Sequence, residues 1–389
     1  MRDRLGRECL YVPSCRFGLY VALRRWCAPG GRVLMSPVND DVIFFVVLAA
    51  GLRPVQAPLD SRDGSIDVSA VPEDVWGGLS CVLTTNLYGN PDPAPELRSR
   101  CDALGIPLIE DAAHAIGSAV GGRPVGGFGD AAVFSLSKHV GAGTGGFLAF
   151  DGSGLRDELG AMRDELLLPG RLRSELLHGL RPYAEAGVRG LRLVRAARAA
   201  LRLLGQEERA GIRMPLRARE LTEALRTAPG LDGFDPWVRV DMHDYRLRPG
   251  RTRLRRTERL LSGVGVRLDA HLAGTERLLA TPWARRPAGP VQPLFRVPLL
   301  VADRDAAIAA LARQRVTTGY LYDPPLDVYA GGGEFTDPSP SPGPAARFAR
   351  HALPVDPCRA EQVIRILGAS GARPVEWGES ARGETGSRG

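Results

Sequence analysis

The stretch FSLSKHVGAGTGG, residues 134–146, contains the single lysine of the chain, Lys138. An apolar strand pattern ends at Ser135, the lysine follows shortly after it, and glycines stand at positions 141, 143, 145 and 146. Lysine and arginine together number 51 in the 389 residues, so every basic residue except Lys138 is arginine. The cation at position 138 is therefore unusual for this chain.

Lysine and arginine differ in chemistry as well as in shape. Arginine stays protonated in proteins, whereas a lysine amine can lose its proton and act as a nucleophile. A lysine that survives in an arginine-rich chain therefore indicates a reactive amine. The alternative is that a G+C-rich genome favours arginine throughout and has left one lysine by chance.

A carboxylate precedes this lysine in the stretch LIEDAAH at 108–114. Asp111 directly follows a buried strand pattern, and open α/β sheets bind ligands at the carboxyl ends of their strands. An aspartate before two alanines is also a good helix N-cap, so a purely structural role stays open.

Two further stretches are suited to binding an anion. Ser135 lies at the end of its predicted strand and is followed by the glycine-rich turn, where a hydroxyl and backbone N–H groups suit a phosphate. The turn Ser14-Cys15-Arg16 stands just before a helical pattern and could bind an anion in the same way, or could be ordinary capping.

An amine, a strand-end carboxylate and a phosphate cradle together match the needs of pyridoxal 5′-phosphate. That cofactor needs a lysine for covalent attachment, a carboxylate to keep its ring nitrogen protonated, and donors for its phosphate. The sequence offers Lys138 for the first and Asp111 for the second.

Strand-like and helix-like segments alternate from the start of the chain to position 150, which predicts βαβ units and a mostly parallel sheet. Helices are predicted near 17–27, 41–50 and 94–104, and strands at 32–35, 53–56, 79–84, 107–109, 131–135 and 146–150. Later in the chain we expect a strand at 295–300, a helix at 303–315 and a final helix from about 359.

Domain boundaries follow from shifts in composition. We expect a large α/β domain over 1–243, within which 152–243 is a helical, arginine-rich insertion, then a smaller α+β domain over 244–372 and a disordered tail over 373–389. Arginines recur at helical spacing between Arg189 and Arg202. Such a helix could contact a membrane or an acidic partner, but a solvated face is the favoured interpretation.

Bulk properties exclude several classes of protein. The net charge of +7 is spread along the chain, and no nucleic-acid-binding motif accompanies it. The six cysteines show no metal-binding spacing and indicate reduced thiols in a cytoplasmic protein. No metal site, nucleic-acid partner or membrane association is expected, and no apolar run is long enough to span a bilayer.

The chain resembles the fold-type-I pyridoxal-phosphate enzymes, and among them the DegT/DnrJ/EryC1/StrS sugar aminotransferases. The resembling stretches are TTNLYGNP (84–91), IEDAAH (109–114), GRPVG (122–126), the segment 129–146 and, more weakly, AGLRPV (50–55), YDPPL (322–326) and LP (353–354). The resemblance implies a large domain with a mostly parallel seven-stranded sheet and a smaller C-terminal domain.

The resemblance also implies a role for individual residues. Lys138 would be the Schiff-base lysine, Asp111 the partner of the pyridinium nitrogen, and His114 a contact to the ring hydroxyl. Ser135 and the turn Ser14-Cys15-Arg16 would bind the phosphate, His139 would be a bystander, and Asn86 and Tyr322 are weaker candidates for substrate contact. The family usually places a ring over the cofactor after its second strand, but Pro37-Val38-Asn39-Asp40-Asp41 supplies none.

The leading functional prediction is a homodimeric pyridoxal-phosphate aminotransferase of a biosynthetic pathway. It would transfer an amino group from an amino acid to a keto sugar, with a nucleotide-linked sugar favoured, or to a keto-cyclitol. Retention of lysine at 138 favours amino transfer, since dehydratase members of the family carry histidine there. A lyase or dehydratase on the same scaffold, or a regulatory protein without turnover, stays open as an alternative.

Overall fold

The fold is taken from a computed structural model that describes residues 1–170, 175, 212–240, 245–287 and 289–376. Strands are β1 (Glu8–Val12), β2 (Arg32–Met35), β3 (Arg53–Gln56), β4 (Cys81–Thr84), β5 (Leu108–Asp111), β6 (Ala119–Val120), β7 (Arg123–Pro124), β8 (Ala131–Ser135), β9 (Gly146–Phe150), β10 (Val297–Leu300) and β11 (Ala352–Val355).

The helices alternate with these strands in the first half of the chain and dominate the second. They are α1 (Arg2–Leu5), α2 (Cys15–Trp26), α3 (Asp41–Ala49), α4 (Glu73–Gly77), α5 (Ala94–Leu104), α6 (Leu155–Leu166), α7 (Ala218–Arg226), α8 (Asp235–Val238), α9 (Arg251–Ser262), α10 (Val264–Leu279), α11 (Arg304–Arg313), α12 (Leu326–Tyr329), α13 (Pro342–His351) and α14 (Ala360–Ala369). Short 3-10 turns cover Val68–Ala70, Leu87–Gly89, Asp232–Phe234 and Pro357–Arg359.

A seven-stranded sheet in the order β1-β9-β8-β5-β4-β2-β3 organises the chain as far as Phe150. The strands β3, β2, β4, β5 and β8 run parallel, and β9 pairs antiparallel with both β8 and β1. The predicted α/β class and the mostly parallel seven-stranded sheet are confirmed.

The central strands are apolar on both faces because helices cover both sides of the sheet. Leu83 and Ile109 join a core cluster with Phe44 of α3, whereas their chain neighbours Val82 and Leu108 face a second cluster on the opposite side. Alternate strand residues point to opposite faces, so a near-continuous apolar strand fills two cores at once.

Helix α3 shows how local sequence positions the site. Asp40 accepts a hydrogen bond from the Val42 N–H and caps the helix, and all residues from Asp41 to Ala49 are buried. A helix that is apolar all round belongs inside a protein. Its N-terminus is consequently fixed beside the ends of the strands.

A smaller unit forms around the antiparallel pair β10-β11 in the second half of the chain. Its core includes Leu299 and Leu353 of the strands, Leu311 of α11 and Val363 of α14. The predicted strand at 295–300 and helix at 303–315 are present with slightly shorter bounds, and the final helix begins at Ala360.

The sequence analysis misplaced or omitted some elements. It did not predict β1 (Glu8–Val12), which takes its place in the sheet by pairing with the distant strand β9. It left open a helix cap at Asp111, but no helix follows that residue. The arginine-rich segment 189–202 and residues 377–389 lie outside the described residues. Within the described ranges, no helix is long and apolar enough to cross a membrane.

Candidate active site

The carboxyl ends of β5 and β8 bring the predicted residues to one edge of the sheet. These two strands are parallel neighbours in which Asp111 pairs with Val133, shortly before Ser135. Ser135 is in turn opposite Gly146 of β9. Because parallel strands end at the same edge, Asp111 and Ser135 both lie at the end of the sheet where α/β proteins bind ligands.

Asp111 is a buried carboxylate, exposed over only 4% of its surface. One oxygen accepts the Ala113 N–H at 3.0 Å, and the Asn86 side-chain amide donates to the Asp111 carbonyl at 3.0 Å. Burial raises the pKa of Asp111 to about 7, and the negative charge of Asp40 adds to the effect, whereas the Ala113 N–H and Lys138 oppose it. A positively charged group beside this buried carboxyl would stabilise its ionised form.

The N-terminus of α2 meets this carboxylate through Cys15. The Cys15 thiol lies 3.9 Å from Asp111 Oδ1 and can donate to it. Burial raises the pKa of Cys15 well above its usual value, and the Asp111 charge raises it further. Cys15 is therefore a neutral thiol, and the first turn of α2 is fixed against the carboxylate.

A close approach of β9 to α2 completes this corner. A Cβ on Gly146 would lie 3.0 Å from the Cys15 nitrogen and 2.5 Å from the Phe134 carbonyl oxygen, so only glycine fits without a shift of the backbone. Glycine at position 146 therefore allows β9 to lie against the start of α2. The same glycine pairs with Ser135 at the end of β8.

The predicted phosphate-binding residues surround the same corner, and each has a partner within the protein. Ser14 caps α2 by accepting the Phe17 N–H, and its hydroxyl donates to the Tyr245 carbonyl at 2.9 Å. Arg16 lies with its guanidinium carbon 5.6 Å from the centre of the Tyr245 ring. The Ser135 hydroxyl is 2.8 Å from that of Ser137.

Lys138 lies in the loop after β8 and packs against two aromatic rings. Its Nζ is 5.5 Å from the centre of the Phe295 ring and 5.3 Å from that of Tyr320. Aromatic faces stabilise an ammonium group within about 6 Å. Neither ring was predicted from sequence, because nothing local to either position marks it as a neighbour of Lys138.

His114 belongs to a column of stacked rings formed with Phe295, Tyr88 and Tyr322. It stacks on Phe295 with centroids 5.2 Å apart and on Tyr88 at 6.2 Å, and Tyr88 stacks on Tyr322 at 5.6 Å. Burial and the nearby charge of Lys138 lower the pKa of His114 well below its usual value. The imidazole is neutral at physiological pH.

The two weaker candidates for substrate contact are both buried. Asn86 is fully buried and donates both to the Thr84 hydroxyl and to the Asp111 carbonyl, which suits a role in positioning Asp111. Tyr322 is 3% exposed within the ring column. His139, the predicted bystander, is also buried and bonds through Nε2 to the Pro293 carbonyl.

The segment after β2 is occupied by polar side chains instead of a ring. Asn39 donates to the Thr85 hydroxyl, and Asp41 forms a buried ion pair with Arg213 at 2.6 Å. Arg213 also donates to the carbonyls of Asn39, Tyr322 and Pro324. Arg213 could not be predicted from sequence because its partners lie far away in the chain. Its hydrogen bonds connect the segment after β2 to Tyr322 of the ring column.

Comparisons with known proteins show which family the first part of the chain is similar to. Residues 6–171 match the model of the DegT/DnrJ/EryC1/StrS aminotransferase family. The chain is 30% identical over 144 residues to GDP-perosamine synthase of Vibrio cholerae, covering 36% of this chain and 39% of that protein. It is 32% identical over 142 residues to the L-glutamine:2-deoxy-scyllo-inosose aminotransferase of Streptoalloteichus tenebrarius, covering 36% and 34%. The chain thus matches about two fifths or less of the length of these relatives.

Solved structures show the same fold over nearly the whole chain. A DegT DnrJ EryC1 StrS aminotransferase from Brucella abortus superposes with a TM-score of 0.63 at 18% identity, covering 95% of this chain and 87% of that one. A GDP-4-keto-6-deoxymannose-3-dehydratase variant with bound GDP-perosamine gives 0.68 at 14% identity, covering 95% and 90%. These likenesses confirm the fold-type-I architecture.

Proposed function

Because residues 6–171 match the model of the DegT/DnrJ/EryC1/StrS aminotransferase family, we propose that the chain is a pyridoxal-phosphate-dependent aminotransferase. It transfers an amino group from an amino acid to a keto sugar or keto-cyclitol. The observation that carries the proposal is the buried carboxyl of Asp111 at the end of β5, grouped with Cys15 at the start of α2 and within range of the charge of Lys138.

The residues present fit the cofactor. Asp111, with its pKa raised to about 7, would gain a favourable partner in a protonated ring nitrogen. The helix N-terminus at Ser14 and Cys15 lies against Gly146, the strand partner of Ser135, and together they supply the N–H and hydroxyl donors that a phosphate needs. The close contact that Gly146 permits keeps these donors together.

The chemistry that the cofactor supplies when bound is a ring that accepts electrons from the substrate carbon. The protein positions the reacting groups and supplies the side chains that carry protons. With the cofactor bound, Lys138 Nζ would give and take the proton that amino transfer moves. Asp111 would hold the proton on the ring nitrogen, and the neutral His114 would offer a hydrogen bond without adding charge.

The aromatic rings around Lys138 act on the same amine. Phe295 and Tyr320 lie against Nζ at 5.5 and 5.3 Å and keep the side chain within a small volume. The two rings therefore restrict the orientations that the Lys138 amine can take.

Absorption spectroscopy tests the proposed reaction on the full chain. Addition of pyridoxal 5′-phosphate should produce a visible band, and L-glutamate or L-glutamine should then convert it to the near-ultraviolet band of the aminated cofactor. A colourless protein that ignores the cofactor would reject the enzyme. A stable band that no amino acid converts would favour a lyase, a dehydratase or a protein without turnover.

We also propose that the protein is a cytoplasmic homodimer. Val266 and Tyr320, exposed over 77% and 57% of their surfaces, flank the site and offer apolar area to a second copy. The six cysteines, all within the described residues, are unpaired, as in a reducing compartment. Analytical ultracentrifugation of the loaded protein should give twice the mass of one chain.

A further inference from the structure

The Cys15 side chain has a different partner from the one that the sequence predicted. The turn Ser14-Cys15-Arg16 was expected to bind the cofactor phosphate, but the Cys15 thiol lies 3.9 Å from Asp111 Oδ1. Its backbone N–H stands at the first position of α2, where no carbonyl of the helix can accept it, and stays open to an anion. The backbone and the side chain of this residue therefore serve different groups.

The two oxygens of the Asp111 carboxylate have different surroundings. Oδ1 accepts the Ala113 N–H at 3.0 Å and is also the oxygen nearest the Cys15 thiol. Oδ2 accepts no hydrogen bond from any residue that the structure describes. Because a buried carboxylate is costly unless its oxygens are satisfied, Oδ2 is the oxygen left for a ligand that donates a proton.

The thiol can act as a hydrogen-bond donor to this carboxylate. Burial and the charge of Asp111 raise the pKa of Cys15 well above its usual value, so the sulfur keeps its proton. A hydrogen bond donated to a carboxylate favours the ionised form. The Cys15 thiol therefore opposes the effect of burial, which raises the pKa of Asp111.

The backbone of Cys15 is held on two sides. Ser14 caps α2, and its hydroxyl donates to the Tyr245 carbonyl at 2.9 Å. On the other side β9 approaches so closely that a Cβ on Gly146 would lie 3.0 Å from the Cys15 nitrogen and 3.3 Å from its Cα. These contacts fix the start of α2 and hold the thiol beside Asp111.

We propose that Cys15 is a positioning residue for Asp111, whose thiol holds Oδ1 so that Oδ2 is left for the protonated ring nitrogen of the cofactor. The inference rests on the proposed function and deepens it, because it assigns a role to a residue that touches neither substrate nor reacting atoms. By favouring the ionised carboxylate, the thiol leaves the proton on the ring nitrogen. That protonated ring is the state that accepts electrons.

Carbon-13 NMR of the aspartate carboxyls tests the contact in the cofactor-free chain, with the Asp111 signal assigned from Asp111→Asn. Cys15→Val replaces the donor by an apolar side chain, so the pKa of Asp111 should rise by about 0.5 or more. Cys15→Ala, which adds no bulk at the start of α2, should also raise it. Asp40 and Lys138, the charged groups that also act on Asp111, are unchanged in both variants.

Cys9→Val is the matched control. The Cys9 thiol is also buried and donates to the Arg7 carbonyl at 3.7 Å, but it lies on β1, three strands away from β5 in the sheet. This variant loses a thiol hydrogen bond of the same kind and should leave the pKa of Asp111 unchanged. A general effect of losing a buried thiol is thereby separated from an effect on Asp111.

Nitrogen-15 NMR of the loaded chain, with the label in the cofactor ring, tests the second half of the proposal. The wild-type chain should give the chemical shift of a protonated ring nitrogen. In Cys15→Val the shift should move towards the unprotonated value, because a more basic Asp111 competes for the proton. Cys9→Val should match the wild type.

Three results decide the matter. An Asp111 pKa that stays unchanged or falls in both Cys15 variants would overturn the role of the thiol as donor. An unchanged nitrogen shift in Cys15→Val would overturn its role in keeping the proton on the ring. If the pKa of Asp111 rises as expected but no visible band forms with the cofactor, the aminotransferase proposal fails and the contact between Cys15 and Asp111 stands.

Discussion

At the scale of single residues, Lys138 and Asp111 show what a sequence can reveal. Lys138 is conspicuous because arginine cannot replace a nucleophilic amine. Asp111 is identified by its place at the end of a buried strand, since strand ends of α/β sheets meet at one edge. Phe295 and Tyr320 could not be predicted, because they come much later in the chain and only the tertiary fold brings them to the amine.

The raised pKa of Asp111 predicts how stability depends on pH in the cofactor-free chain. Because the folded value is about 7 and the ordinary value 3.8, the native state holds more protons than the unfolded state between these limits. Ionisation of Asp111 therefore lowers the free energy of unfolding as pH rises from about 4 to 7. Asp111→Asn should melt above wild type at pH 8, with a difference that shrinks towards pH 4.

The neighbouring carboxylate Glu110 provides the matched control. Burial raises the pKa of Glu110 as well, but its two oxygens accept the N–H groups of Gly126, Phe128 and Gly129. Glu110→Gln should lower the melting temperature at pH 8, because an amide N–H would face these donors. An Asp111→Asn variant that is less stable than wild type at pH 8 would contradict the account of its burial.

At the scale of elements, the start of α3 and the segment before it depend on a buried ion pair. Asp41 is fully buried and Arg213 exposes 6% of its side chain. Arg213 also donates to Tyr322 and Pro324, so it joins α3 to the ring column. Sequence analysis identified the helix from its apolar run but could not predict this pair, which links positions 172 residues apart.

Removal of Arg213 should therefore be costly. Arg213→Met should lower the free energy of unfolding, measured in urea, by about 3–5 kcal/mol, because it strips the guanidinium from a buried carboxylate. Arg226→Met is the control: its pair with Glu223 is exposed, and such pairs contribute little. Equal losses in the two variants would show that the buried pair does not stabilise α3.

At the scale of the whole molecule, the alternation of strands and helices was enough to predict the α/β class. Four strands, 32–35, 53–56, 131–135 and 146–150, lie where the sequence placed them, because short stretches of strand character stand there between helical patterns and turns. The place of β1 at the edge of the sheet was not predictable, since it depends on pairing with β9, a strand distant in sequence.

A cavity of ≈ 510 Å³ lies beside Lys138 and could not be predicted from local sequence either. Its walls come from the lysine loop, from α10, from the approach to β10 and from the turn at Pro357–Arg359. None of these segments, considered alone, indicates a cavity. The domain boundaries at 243 and 372 remain predictions from composition.

The most direct test of the central claim is the site at which the cofactor becomes attached. The full chain is incubated with pyridoxal 5′-phosphate, reduced with borohydride, digested and mapped by mass spectrometry, with Lys138→Arg as the charge-preserving control. Because lysine occurs only once, the account predicts stoichiometric label on Lys138 and none in the variant. Absence of label, or label confined to the N-terminal amine, would contradict it.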